Sequence, residues 1–230
     1  NKNSVGFDMG CGSGRWAKLI APKVKILNCV DPSIEALDTA KNNLFNYKNC
    51  KFENSDVMTC KIKNSSQDFG YSLGVLHHIP NSFLGLKNCV KKLKKGAPFL
   101  VYLYYRFDNK PLWYRYLWKS TDYFRKIISK MPFKIKLFIT YFIALIIYFP
   151  LARISYLIEK IGLNVQNFPL SPYRFTSFYT MKTDALDRFG TKLETRFTKK
   201  EITIMMKDAG LINIKFSQTS PFWVAVGEKK

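Results

Sequence analysis

The feature that most constrains this chain lies near its start, where the apolar run Ser4-Val5-Gly6-Phe7-Asp8-Met9 passes straight into Gly10-Cys11-Gly12-Ser13-Gly14. Three glycines at alternate positions after a short buried strand allow a backbone turn that a Cβ would forbid, and let the main chain approach a ligand closely. Such a turn belongs at the carboxyl edge of a parallel sheet and opens into a helix. A dinucleotide fingerprint would place Gly or Ala where Arg15 stands, and a P-loop would need Gly-Lys-Ser/Thr. What stands here is Asp8-x-Gly10-x-Gly12-x-Gly14, with a helix expected from Arg15. Free N–H groups at that helix start suit a carboxylate as well as a phosphate, and Asp8 suits an ammonium.

The segments that follow alternate in character. Apolar strand-like runs at 25–30, 50–53, 68–75 and 99–105 are separated by helix-like stretches, of which 83–95 is amphipathic. This spacing predicts βαβ units and a doubly wound, mostly parallel Rossmann-like α/β sheet. A carboxylate at the end of the second strand, Asp31, can accept both hydroxyls of a ribose, with Pro32 opening the next helix. Asp56 and Val57 end the third strand, where a carboxylate can accept from an adenine amino group. Ser72, Leu73 and Gly74 end the fourth, at the cleft where ligands sit in such sheets. Near the C-terminus, Thr198 and Glu201 form a capping-box pattern for a helix running to Gly210, and strands at 212–218 and 222–227 complete the sheet, one of them antiparallel.

Taken together, VGFDMGCGSGRWA (5–17), NCVDPSIEAL (28–37), NSDV (54–57), DFGYSLGVLHHIP (68–80) and VKKLKKGAPFLVYLY (90–104) resemble the class I S-adenosylmethionine-dependent methyltransferases, in particular the ubiquinone/menaquinone-methyltransferase-like group. The resemblance implies S-adenosyl-L-methionine as cofactor. In it, Asp8, Gly10, Cys11, Gly12 and Gly14 cradle the methionine end, Asp31 and Pro32 the ribose, Asp56 and Val57 the adenine, and Ser72–Gly74 border the cleft. The helical segment that commonly precedes the first strand in these enzymes is absent, so the chain is expected to be truncated at its N-terminus.

The two histidines, His77 and His78, are adjacent just after the fourth strand. His77 is the candidate general base, since imidazole titrates near neutral pH. The turn-rich, aromatic stretch from 169 to 190 supplies Tyr173, Arg174, Tyr179 and Arg188 as candidate substrate contacts, against the alternative that they only pack a surface loop. Three segments are expected: a cofactor-binding core over 1–105, a helical, aromatic and basic insertion or lid over 106–163, and a substrate-side loop with closing helix and strands over 164–230.

The net charge of +21 invites a nucleic-acid reading. The charge is spread along the whole chain, however, and the sequence has neither an Asn/Asp-Pro-Pro-Tyr/Phe motif nor a Pro-Cys motif. An RNA methyltransferase therefore ranks as the alternative, beside a non-catalytic protein that keeps the fold. The five cysteines form no CxxC pair, so no metal site is expected and a reducing, cytoplasmic setting is. Residues 137–152 carry no charge. A helix of that length spans about 24 Å, short of the roughly 30 Å hydrocarbon core, and Pro150 would shorten it further. A helix buried as a lid is favoured over an interfacial element, which would bring peripheral contact with an anionic membrane on the cytoplasmic face. Either favours a small-molecule acceptor of hydrophobic or lipid-linked kind.

Overall fold

The computed structural model describes residues 2–219 and 222–230. The chain divides into two compact units, one formed by Asn1–Arg106 with Thr195–Lys230 and the other by Phe107–Glu194. The first unit is a sheet of seven strands in the order β3-β2-β1-β4-β5-β7-β6. Its strands are β1 (Val5–Met9), β2 (Ile26–Asp31), β3 (Cys50–Asn54), β4 (Phe69–Leu73), β5 (Pro98–Tyr102), β6 (Leu211–Phe216) and β7 (Val224–Lys229). The first five run parallel, and β7 pairs antiparallel with both β5 and β6. The doubly wound sheet with an antiparallel C-terminal strand is therefore as the sequence predicts.

Helices α1 (Ala17–Ile20), α2 (Ile34–Asn43), α3 (Ser82–Lys92) and α8 (Lys199–Asp208) belong to this unit. Two apolar clusters fill it: one is built on Phe7, Phe99, Leu86 and Met206, the other on Leu27, Ala17, Leu37 and Leu44. The seam between β1 and β4 explains two glycines. Gly6 lies opposite Phe69 and Gly70 opposite Phe7 in the strand register, and a Cβ on either would meet the facing ring at 2.3 and 2.2 Å. Each strand thus lends the other the room for one aromatic ring. At the C-terminal end the capping box forms as read: Thr198 Oγ1 accepts from Glu201 N and Glu201 accepts from Thr198 N.

The second unit is helical: α4 (Leu112–Ile128), α5 (Phe133–Ile143), α6 (Phe149–Lys160) and α7 (Phe178–Gly190). Residues 144–148 form a π-turn, so the helix continues without interruption from α5 into α6. Proline lacks the N–H that an α-helix needs and clashes with the carbonyl four residues back; a widened turn just before Pro150 relieves both. Pro150 therefore does not shorten the helix, and the apolar run is longer than its uncharged stretch implied. Phe133–Lys160 is 28 residues, long and apolar enough to cross a membrane.

Two expectations are corrected here. The third segment drawn from 164 is split, because 164–194 packs with the helical unit and only 195–230 with the sheet. The reason is α7, whose Met181, Ala185 and Phe189 share a core with Ile128, Ala144, Tyr148 and Ala152. The apolar helix is also not a buried lid, since only 22% of its most apolar window is buried.

Candidate active site

The order of strands reverses between β1 and β4, and in an open parallel sheet the crevice beyond the carboxyl ends at that reversal is where ligands bind. The glycine turn leaves β1 at this point. It is tied down almost entirely from β2: Gly10 N and Cys11 N both donate to Val30 O, at 2.8 and 3.0 Å, and Gly12 N donates to Asp31 Oδ2 at 2.8 Å. Gly14 N donates to Cys11 O at 2.9 Å. These four amides are thus used within the protein, and α1 is a single turn that starts only at Ala17. The expectation of a helix from Arg15 is therefore corrected: the helix starts two residues later.

Gly10 and Gly12 both lie in the left-handed region, with φ of 80° and 53°. At Gly10 a Cβ would strike the Val75 side chain at 2.3 Å, so glycine there serves close packing of the turn on the loop after β4. At Gly12 a Cβ would meet nothing within 4 Å. Gly12 thus leaves open space above the turn.

Asp8, at the end of β1, is 1% exposed, and its Oδ2 makes no hydrogen bond. Burial raises its pKa to about 7, helped by the nearby Asp31 and partly offset by the Tyr71 hydroxyl. Tyr71 is its neighbour across the β1–β4 register, and its hydroxyl is likewise buried without a formed hydrogen bond. A carboxyl group left in this state is costly unless something cationic or hydrogen-bonding meets it. Asp31 is buried too, and its two oxygens accept from Gly12 N and from Ser33 N, at 2.8 and 3.0 Å. Each carboxylate oxygen has a second lone pair, so both remain competent for hydroxyl donors. Pro32 precedes the helix cap instead of lying in its first turn: Ser33 is the cap, accepting from Ala36 N, and the helix starts at Ile34.

The other predicted residues divide. Asp56 is exposed, and its Oδ1 accepts from Met58 N and Thr59 N at 2.7 and 2.9 Å, which holds its pKa below the usual carboxylate range. Val57 points into the core beside Gly85. Ser72 is fully buried and donates to Met9 O at 2.9 Å, so it fastens β4 to β1 and does not border the cleft. Leu73 is half-buried, and Gly74, with φ of 78°, donates its N–H to Tyr102 O.

His77 is corrected as a general base. It is fully buried, its Nδ1 accepts weakly from Tyr104 N at 3.4 Å, and its ring stacks on Tyr104 at 3.7 Å. Burial, with the positive charge of Arg196 nearby, pushes its pKa down to about 2, so the imidazole is neutral and inaccessible at physiological pH. Its backbone carbonyl accepts from Thr195 N, which makes it a packing residue.

The four candidate substrate residues all lie in the helical unit. Arg174 is paired with Glu159 through both oxygens, at 2.7 and 2.9 Å, and Arg188 is buried and bonded to Glu194 at 2.8 Å. Both guanidiniums are committed to holding that unit together. Tyr173 packs on Tyr148, whereas Tyr179 is 71% exposed.

Sequence reasoning missed Tyr71 and Asn54. The amide of Asn54 donates to Asp31 O and Pro32 O and so fixes the end of β2. The signal for Tyr71 was present: it is the one polar-tipped aromatic on a strand that must run beside β1.

Fold and crevice together define a class I methyltransferase architecture. Residues 7–101 match the methyltransferase domain family. Among solved structures, the chain is similar to an S-adenosylmethionine-dependent methyltransferase from Methanosarcina mazei, with a TM-score of 0.58 and 13% identity over 100% of this chain and 93% of that one. A methyltransferase of the same dependence from Thermotoga maritima gives 0.53 and 16%, over 99% and 83%. A Bacillus halodurans protein assigned as a methyltransferase gives 0.56 and 15% over 94% of this chain, which spans only 66% of that protein's length. Comparison with curated proteins finds no match. The match to the methyltransferase domain family thus lies within the sheet unit, and the fold of the whole chain is the one these S-adenosylmethionine-dependent methyltransferases share.

Proposed function

We propose that this protein transfers the methyl group of S-adenosylmethionine to a small-molecule acceptor of hydrophobic or lipid-linked kind. The observation that carries the reading is the buried Asp8 carboxyl without a hydrogen-bond partner for Oδ2, set at the sheet's reversal point beside the glycine turn and Asp31. An amino acid's ammonium supplies the partner that Asp8 lacks, a ribose supplies hydroxyls for Asp31, and the space at Gly12 leaves room for both. When bound, the sulfonium supplies an activated methyl group. The chain's own part is to bind and orient it and to exclude water, because an in-line displacement gains most from alignment.

With His77 buried and neutral, no proton acceptor is assigned, and the reading favours an acceptor atom that is already nucleophilic. The aromatic, apolar composition of 106–163 supports a hydrophobic acceptor, and the narrower ubiquinone/menaquinone-like grouping is part of this proposal. Calorimetry with S-adenosylhomocysteine tests the cofactor half: micromolar binding that Asp31→Ala weakens tenfold or more supports it, and no binding at millimolar ligand refutes it. Labelled S-adenosylmethionine incubated with a cell extract tests the acceptor half. Label in the organic-soluble fraction is the expected result; RNase-sensitive label would replace the acceptor with RNA.

A further inference from the structure

The long helix of the second unit is patterned the wrong way round for water. Its buried positions are Thr140, Ala144, Tyr148, Ala152 and Ser155, a seam at helical spacing made mostly of small or hydroxylated residues. The aliphatic hydroxyls on the seam are satisfied by the helix itself, Thr140 donating to Lys136 O and Ser155 to Ala152 O. The outward face carries the large apolar side chains instead, among them Phe138 and Ile146, each 65% exposed, with Phe142 and Leu145. A surface helix in water shows the opposite arrangement. Small residues inside and Phe, Ile and Leu outside is what a helix facing lipid shows. Helix α4 adds Trp113, Tyr116 and Phe124, all exposed.

The charge around this face is one-sided. Between 107 and 194, Lys and Arg outnumber Asp and Glu by more than two to one. Three of the acids are bound up in the unit: Asp122 with Arg125, Glu159 with Arg174, and Glu194 with Arg188. Lys119, Lys126, Lys130, Lys134 and Lys160 are exposed. An apolar face rimmed by lysine repels a second copy of itself but matches lipid headgroups of negative charge, where each basic residue near the surface adds about 1 kcal/mol.

The orientation follows from α7. Its Met181, Ala185 and Phe189 pack into the core shared with Ala144, Tyr148 and Ala152, while its other positions carry Lys182, Asp184, Asp187 and Arg188. If the long helix, about 42 Å from end to end, crossed a bilayer, it would drag these charges into hydrocarbon, at a cost of several kcal/mol each. Lying in the membrane plane keeps α7 on the water side. We propose that the helical unit docks on an anionic lipid bilayer, with Phe133–Lys160 in the plane of the membrane and its apolar outer face, with that of α4, in the headgroup–acyl boundary.

Vesicle flotation tests this independently of methyl transfer. The whole protein is expected to float with phosphatidylglycerol-containing vesicles and more weakly with phosphatidylcholine alone, with salt reducing the difference. Phe138→Ser and Ile146→Ser alter exposed side chains and so spare the fold, which circular dichroism checks. Each is expected to lower lipid partitioning roughly tenfold or more, the loss expected when one large side chain no longer leaves water. Unchanged partitioning of both variants would overturn the proposal. So would a stable dimer in lipid-free buffer that the same substitutions dissociate, since the face would then belong to a second copy. Resistance of the bound protein to alkaline carbonate extraction would overturn the in-plane orientation.

Discussion

Replacing Asp8 with asparagine separates what the site costs from what it binds. The carboxyl titrates near pH 7 in the folded protein against 3.8 for the unperturbed group. An acid whose folded pKa is raised contributes stability that is present below the unfolded pKa and lost as pH rises through the folded one. The window therefore runs from about pH 4 to about pH 7, at roughly 1.4 kcal/mol per pH unit, and sums to about 4 kcal/mol by pH 8. Asp8→Asn keeps the shape and removes the titration. Its stability relative to wild type should climb across that window and flatten above it, read from urea unfolding at half-unit steps of pH. The same substitution should weaken S-adenosylhomocysteine binding, because the ammonium then meets a neutral amide. Below pH 7 wild-type binding should release a proton, seen calorimetrically as a heat that changes with the buffer's ionisation enthalpy. An Asp8→Asn protein that is less stable at pH 8 than at pH 4, relative to wild type, would refute the buried-carboxyl argument. Tighter binding by the variant would refute the assignment of the ammonium.

His77 should act in the opposite direction: its folded pKa of about 2 lies below the ordinary 6.5, so stability falls as pH drops below 6.5, by about 3 kcal/mol at pH 4.5. His77→Gln should flatten that acid limb in denaturant titrations while leaving the pH dependence of methyl transfer unaltered; loss of the acid-side limb of the rate profile, the rise in rate as a general base deprotonates, would restore His77 as the base. Gly70→Ala forces a Cβ to within 2.2 Å of the Phe7 ring and should cost about 3 kcal/mol or more, with Phe7→Leu in the same chain recovering part of it in a double-mutant cycle. Thr198→Ala removes one half of a formed capping box and should cost about 1 kcal/mol in the same assay.

The sheet was legible because each of its cues is local. A strand that ends in alternating glycines, Thr198 as a cap, and apolar runs at regular spacing report on their own neighbourhoods. What failed was everything that depends on where a side chain ends up. His77 and Ser72 sit at motif positions that face a cleft in outline, yet both side chains turn inward, and only burial shows it. Arg174 and Arg188 looked free to meet a substrate because their partners Glu159 and Glu194 are fixed by packing, which sequence order does not reveal. The apolar stretch failed for a different reason: its composition is right for a core, and only its exposure tells which way it faces.

Asp8 and His77 also interact through pH although they do different work. Between about pH 4 and pH 6.5 the carboxyl loses stability as pH rises and the imidazole gains it, each at the same slope, so their contributions cancel in the wild-type protein. A nearly flat wild-type profile there would hide two large opposing shifts, which only the single variants separate. The cancellation has a functional side. Asp8 stays costly until a cation meets it, whereas His77 holds its corner of the sheet unit neutral and dry whether or not a ligand is present. A site built in this way binds its cofactor in part by relieving a strain that the ligand-free fold already carries. On that basis Asp8→Asn should stabilise the free protein, and added S-adenosylhomocysteine should protect the wild type more than the variant.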